Sequence, residues 1–377
     1  MTRELKLKPR FEQTVRRFDA WWRGEVIDRP PLTLPIKPAR PYEGPTSQHA
    51  TERDRWLDAE FQVASMTAGL RQHDYPADNL PVLQPNVGPE LTAALLGCEL
   101  DFLTDRTSWS KPIIDHIDQW HDIIGRPLDF QCPGWQAIEQ ITDLAIAANN
   151  NEYLVGITDL HDNYDTMAAL RDPQALCMDL MDDEQLIERV GRDLTRVLRE
   201  TYTKLWKKIE PMGLGASTWT RAHFDGPWYL PSCDFWCMIN DEQARKLVLP
   251  DVISEMSILE RSLFHLDGPQ ALRHLDLLLE IPQLDAVQWV YGAGNGPGTR
   301  WIDVYRRIVA AGKSSQVFAT SPQDAMDVLE AVGPDGLWLC VTESVMTNAE
   351  ADAFIKELEQ AVTRLRNRGR TGWKKVS

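Results

Sequence analysis

Short apolar runs bounded by Pro, Gly, Asn or Asp alternate with longer segments of helical period along all 377 residues, and this alternation constrains the fold more than any other feature. The runs are "PLTLPI" (31–36), "LPVLQPNVG" (80–88), "YLVGITDL" (153–160), "LGASTWT" (214–220), "DFWCMI" (234–239), "LFHLDG" (263–268), "AVQWVYG" (286–292), "SQVFAT" (315–320) and "LWLCVT" (337–342). Strands apolar on both faces belong to a parallel sheet covered by helices, so strand–helix alternation predicts an α/β protein. Eight or nine such strands are enough to close a (β/α)8 TIM barrel. A doubly wound open sheet is the alternative, and the strand count favours the barrel.

The intervening segments support this. Residues 182–210 begin with acids and end with lysines, as the helix dipole favours, and carry Leu186, Ile187, Val190, Leu194, Val197 and Leu198 at three- and four-residue spacing. Residues 348–369 behave alike and stop at a glycine. The proline-rich stretch 28–45 lies too near the N-terminus to separate two domains, and no linker or repeat divides the rest. The expectation is one barrel domain over 1–377 with a helical extension over 1–30.

A net charge of -16 repels phosphate backbones and argues against nucleic acid, leaving a small molecule as the expected partner. No run approaches the ~18 apolar residues of a membrane span, and "MTRELKLKPRF" lacks a secretory apolar core, so a cytoplasmic protein that does not enter membranes is expected. The six cysteines are too sparse for a disulfide framework. Most of the 14 tryptophans are expected to fill core, with a few left to line a pocket. Oligomeric state is left open.

A barrel binds ligands at the carboxyl ends of its strands. Three histidines fall there, each with an acid two positions away: Asp159 and His161, His223 and Asp225, His265 and Asp267. Residues i and i+2 of a strand share a face, so each pair can converge on one pocket. Asp234, Gln288, Glu343 and Cys340 are further strand-end candidates, and Tyr164 follows the second pair of acids in "TDLHDNYD". Asp267 also reads as an N-cap, because "DGPQ" carries a capping-box spacing before a leucine stripe. The loop "GAGNGPG" (292–298) reads as a tight turn or an anion nest, without dinucleotide or P-loop spacing. Cys233 and Cys237 would share a strand face and not form a zinc knuckle.

The stretches "GITDLHDNYDTMAALRDPQALCMDLMDD" (156–183), "SCDFWCMI" (232–239), "FHLDGPQALRHLDLLLEIPQLDAVQWVYGAG" (264–294), "GLWLCVTE" (336–343) and "RFDAWWRGEVIDRPPL" (17–32) resemble the uroporphyrinogen decarboxylase-like superfamily. That family comprises the decarboxylase itself and corrinoid-dependent methyltransferases, on a (β/α)8 barrel. The decarboxylase's arginine-rich "RQAGRY"-like signature is missing where this chain reads "PIKPARPYEG", which turns the resemblance away from that branch. The methyltransferase branch binds zinc through His-x-Cys and a distant Cys, which implies zinc on His265, Asp267 and Cys340, with Asp267 where a cysteine would stand. It also implies a methyl group delivered by a corrinoid on a partner protein.

Carboxylate in place of thiolate makes a bound zinc more electrophilic, so loss of the metal is an equal reading of that position. In a metal-free enzyme, His161, His223, Asp225, Asp234 and Asp267 would serve as acid, base and hydroxyl binders for a polyol, sugar or small carboxylic acid stacked on Trp219, Trp289 or Trp338. A barrel that binds a small molecule without chemistry is the third reading.

Overall fold

The computed structural model describes residues 3–367. Its strands are β1 (Leu32–Thr33), β2 (Val82–Leu83), β3 (Leu100–Asp101), β4 (Trp109–Ser110), β5 (Leu154–Val155), β6 (Trp228–Tyr229), β7 (Arg261–Asp267), β8 (Ala286–Val290), β9 (Ser314–Ala319) and β10 (Leu337–Val341). Six form a curled parallel sheet in the order β1-β10-β9-β8-β7-β6, β2 and β5 form a separate parallel pair, and β3 and β4 an antiparallel one. Segment 216–224 stands between β5 and β6: Ile157 N–H donates to the Ser217 carbonyl at 2.9 Å, and Ala216 bridges Phe224. Between β1 and β2 the Asn79 side chain replaces the ladder, accepting from Leu34 N at 2.9 Å and donating to Leu34 O at 2.6 Å.

The architecture is therefore a distorted, barrel-like α/β fold whose ladder is open at two places, where the sequence predicted a closed one. Proline explains the gap between β1 and β2, because Pro31, Pro35, Pro81 and Pro85 flank these strands and have no N–H to give a ladder. The helices follow expectation. Glu184–Ile209 is capped by Asp183, whose carboxylate accepts from Leu186 N at 2.9 Å, and Asn348–Asn367 runs to the edge of the described residues, with the predicted stop at Gly369 beyond them. Among the described residues no helix is long and apolar enough to cross a membrane.

Three local predictions fail. The strand expected over 214–220 is reduced to the isolated bridge from Ala216 to Phe224. Residues 234–239 do not form a strand: Phe235–Met238 is a 3-10 helix, because the Asp165 carboxylate accepts from the Asp234 and Phe235 amides at 2.9 and 2.8 Å and turns the chain there. Cys233 and Cys237 accordingly share no strand face. Asp267 is not a cap either. Gly268, at φ +83°, turns the chain after β7, and the next helical turn, Ala271–His274, starts behind Gln270 with no side-chain cap.

The N-terminal helix Phe11–Trp22 covers the amino ends of the strands. Phe18 and Trp21 meet the buried Trp338 edge-on at 5.1 and 5.6 Å, and Ser314, the first residue of β9, donates to the Trp21 carbonyl. Arg17 ties this helix to Asp28 and to the buried Asp78. Partial burial works against ionisation of Asp28, but its bonds to Arg17 outweigh it and hold the carboxyl down at about 2. A carboxyl depressed on folding adds stability that is complete above its unfolded value near 4 and disappears as pH falls through the folded value. Acid unfolding of Asp28→Asn, followed by circular dichroism, should show a shallower loss of stability between about pH 4 and pH 2 than the parent protein.

Candidate functional site

β7 ends in His265-Leu266-Asp267, and strand alternation puts the first and third side chains on one face. Asp234 joins them from the turn after β6, held by the two amide bonds to Asp165. One ligand atom from each of Asp234, His265 and Asp267 lies within 4.8 Å of the others.

His265 is held from behind by its register partner. Its Nδ1 bonds Oε1 of Gln288 on β8, whose Nε2 donates to Oε1 of Gln316 on β9 at 2.7 Å, and Gln316 Nε2 donates to Cys340 Sγ on β10 at 3.4 Å. An amide oxygen accepts, so Nδ1 donates to Gln288 and Nε2 is the ring nitrogen left free for a ligand bond. The two glutamines are buried, which fixes them as an interior polar row. This row separates His265 from Cys340, so the expected trio of His265, Asp267 and Cys340 is not assembled; Asp234 takes the third place. Burial also pushes the Cys340 thiol up to about 12, which keeps it protonated.

A cleft of about 430 Å³ opens beside this group, walled by Glu90, Trp109, His161, Asp165, Asp234 and Phe235. Burial disfavours the His161 cation, but Asp159, Asp165, Asp234 and Glu90 outweigh it and raise its pKa. Asp159 is raised by burial, against the pull of His161 and His265 and a bond from the Trp219 indole. Desolvation in the cleft, then repulsion from Asp165, lifts Asp234 to about 6, although the residue as a whole keeps contact with solvent. Trp219 lies edge-on to His265 at 5.3 Å. The site is thus an array of two histidines and several carboxylates, in which burial or neighbouring charge raises the proton affinities of His161, Asp159 and Asp234.

Other sequence candidates lie elsewhere. His223 is fully buried against Phe11, with Nε2 on the Leu214 carbonyl at 2.8 Å, and burial lowers it to about 4; Asp225 pairs with Arg3 beneath it. The i, i+2 pattern of this pair is the same as that of His265 and Asp267, but it faces the N-terminal helix. Trp289 packs on Trp301 and Trp338 on the N-terminal helix, both fully buried, leaving Trp219 as the stacking candidate that reaches the site. Tyr164 is buried, stacked on Phe235 at 6.3 Å, and Glu343 is exposed beyond β10. The glycine-loop amides of Gly298 and Thr299 already hold an anion, the Asp324 carboxylate, at 2.7 and 2.9 Å.

Asp165, Glu90 and Gln316 were not singled out from the sequence. Asp165 was visible as the last acid of "TDLHDNYD", but its partners lie about 70 residues away. With Asp162 and Cys233 it makes a second group whose ligand atoms lie within 4.8 Å, fully buried. That group is occupied by its own chain, since Asp162 caps the helix Asn163–Arg171 through Asp165 N at 2.8 Å and Asp165 holds two amides. The strand-end group has no such duty, and its mixture of one imidazole and two carboxylates suits zinc or a harder divalent ion.

No family model matches the chain, and no curated protein matches it. Solved structures do. A methyltransferase from Methanosarcina mazei superposes with a TM-score of 0.59 at 12% identity, covering 94% of this chain and 98% of that one. A B12-independent methionine synthase from Shewanella sp. W3-18-1, in complex with selenomethionine, aligns over 90% of this chain and 96% of its own at 8% identity and a TM-score of 0.41. The first of these shows a shared fold over nearly the whole of both chains.

Proposed function

We propose that the chain is a single-domain enzyme of the uroporphyrinogen decarboxylase-like type that transfers a methyl group to or from a small molecule, with a divalent metal ion, zinc foremost, on His265, Asp267 and Asp234. The observation that carries this reading is the convergence of three ligand atoms at the carboxyl end of β7, with His265 locked in the tautomer that offers Nε2. The fold shared with a methyltransferase supports it. A corrinoid on a partner protein is the proposed source of the methyl group.

When bound, such an ion supplies a Lewis acid that lowers the pKa of a hydroxyl or thiol on the substrate. The protein's own part is positioning and charge. Gln288 fixes the His265 ring, Asp165 fixes Asp234 through its amide, and Trp219 closes one side of the imidazole. His161, whose proton affinity its neighbouring carboxylates raise, is placed to stabilise negative charge developing in the cleft or to return a proton to the product. Without a metal the same groups form an acid–base array for a polyol, sugar or small acid, and the raised Asp234 and His161 favour that as the second reading.

The test is metal analysis and titration of the purified protein. We expect close to one zinc or cobalt(II) per chain, unchanged in Cys340→Ala, because Cys340 stands behind two glutamines. Absence of a bound ion at equilibrium with micromolar metal overturns the metal centre and leaves the acid–base reading.

A further inference from the structure

We propose that a second cavity at the same end of the strands binds an organic carboxylate through Arg221, whatever the chemistry at His265. The cavity, about 540 Å³, has an aliphatic part, formed by Leu34 beyond β1, Leu70 from the helix Ala59–Gln72 and Val345 beyond β10, and a polar part that includes His73, Asp74 and Arg221.

Three observations single out Arg221. Its backbone sits at φ +62°, in the left-handed region that side chains other than Gly and Asn rarely occupy and that costs a residue with a Cβ conformational strain. The turn that imposes this, with Arg221 N–H on the Thr218 carbonyl at 2.9 Å, points an arginine where glycine would be relaxed. Arg221 is exposed, and among the described residues its guanidinium has no hydrogen bond or ion pair, in a chain carrying sixteen more acids than bases. The acid nearest to hand in the cavity wall, Asp74, is already taken by Arg40 at 2.7 Å and by Asn348 at 2.6 Å.

A planar guanidinium with its donors facing solvent matches a carboxylate bidentately, and the aliphatic part of the wall matches a short apolar body behind it. The segment is also tied to the candidate centre, because Trp219, two residues earlier, touches His265 and bonds Asp159.

The experiment is isothermal titration of the full chain with hexanoate, hexanol and hexylamine, on the parent protein, Arg221→Gln and Arg221→Gly. Hexanoate should bind the parent saturably and lose about tenfold or more in both variants, while the alcohol and the amine show no saturation. Arg221→Gly should also raise the melting temperature of the ligand-free protein, because it relieves the backbone strain. Equal hexanoate affinity in the parent and Arg221→Gln, or no binding by the parent at ~10 mM, overturns the proposal. So does a lower melting temperature in Arg221→Gly, which would make the arginine a structural element.

Discussion

Asp78→Ala should lose about 3–5 kcal/mol of unfolding free energy, read as a lower denaturant midpoint at unchanged slope. Asp78 is fully buried and takes four bonds. Thr14 Oγ1 and Arg17 Nη1 donate to one carboxylate oxygen at 3.1 Å each, and Leu32 N, at 3.0 Å, and Arg29 Nη1 donate to the other. These partners come from the N-terminal helix, the segment before β1 and β1 itself, so one carboxylate pins the extension to the sheet. Arg17 and Arg29 are themselves 5% and 2% exposed, and removing the acid leaves Arg29 desolvated with only Glu359 at 3.9 Å and Arg17 with only the partly exposed Asp28 as counter-charge. The cost is dominated by those stranded cations, not by the lost pairs. Asp28→Asn is the matched control. Its carboxylate also pairs with Arg17 but is 39% exposed, so water replaces part of what is lost and the midpoint should fall by clearly less than in Asp78→Ala. Equal losses in the two variants would contradict this ranking.

The sequence made the strand–helix alternation and the pair His265 and Asp267 legible, because both rest on local periodicity. Alternation places residues on faces, but it does not say what stands behind each face. His223 and Asp225 satisfy the same pattern and point at Phe11 and Arg3, a contact set by helix packing more than 200 residues away in the chain. Asp234 was drawn as the first residue of a strand since "FWCMI" is short and apolar, where helix and strand cannot be told apart by period. The bonds from its amide and that of Phe235 to Asp165 decide the matter, and they are long-range. The separation of Cys340 from His265 has a similar origin. Gln288 and Gln316 read as isolated polar residues in apolar strands, and only the register of β7, β8 and β9 shows that they lie in one row across the interior.

That row sets the order of the metal-binding variants, measured by titrating the apo protein with zinc or cobalt(II). His265→Ala removes the nitrogen donor and should abolish stoichiometric binding. Gln288→Leu keeps every ligand but deprives Nδ1–H of its acceptor, so the ring loses both its tautomer and its orientation; supports of this kind are worth about 10–100-fold in metal affinity. Gln316→Leu acts one step further back, since Gln316 Oε1 accepts from Gln288 at 2.7 Å and thereby turns the Gln288 oxygen towards His265. Its effect should be smaller than that of Gln288→Leu and of the same sign. Cys340→Ser ends the series and should leave the affinity unchanged, because it alters the acceptor of a bond from Gln316 at 3.4 Å and no ligand. A graded loss from β7 to β10 is what a His265, Asp267 and Asp234 centre requires. Loss of the ion in Cys340→Ser with retention in Gln288→Leu would place the metal on the far side of the row and return the thiol to the ligand set.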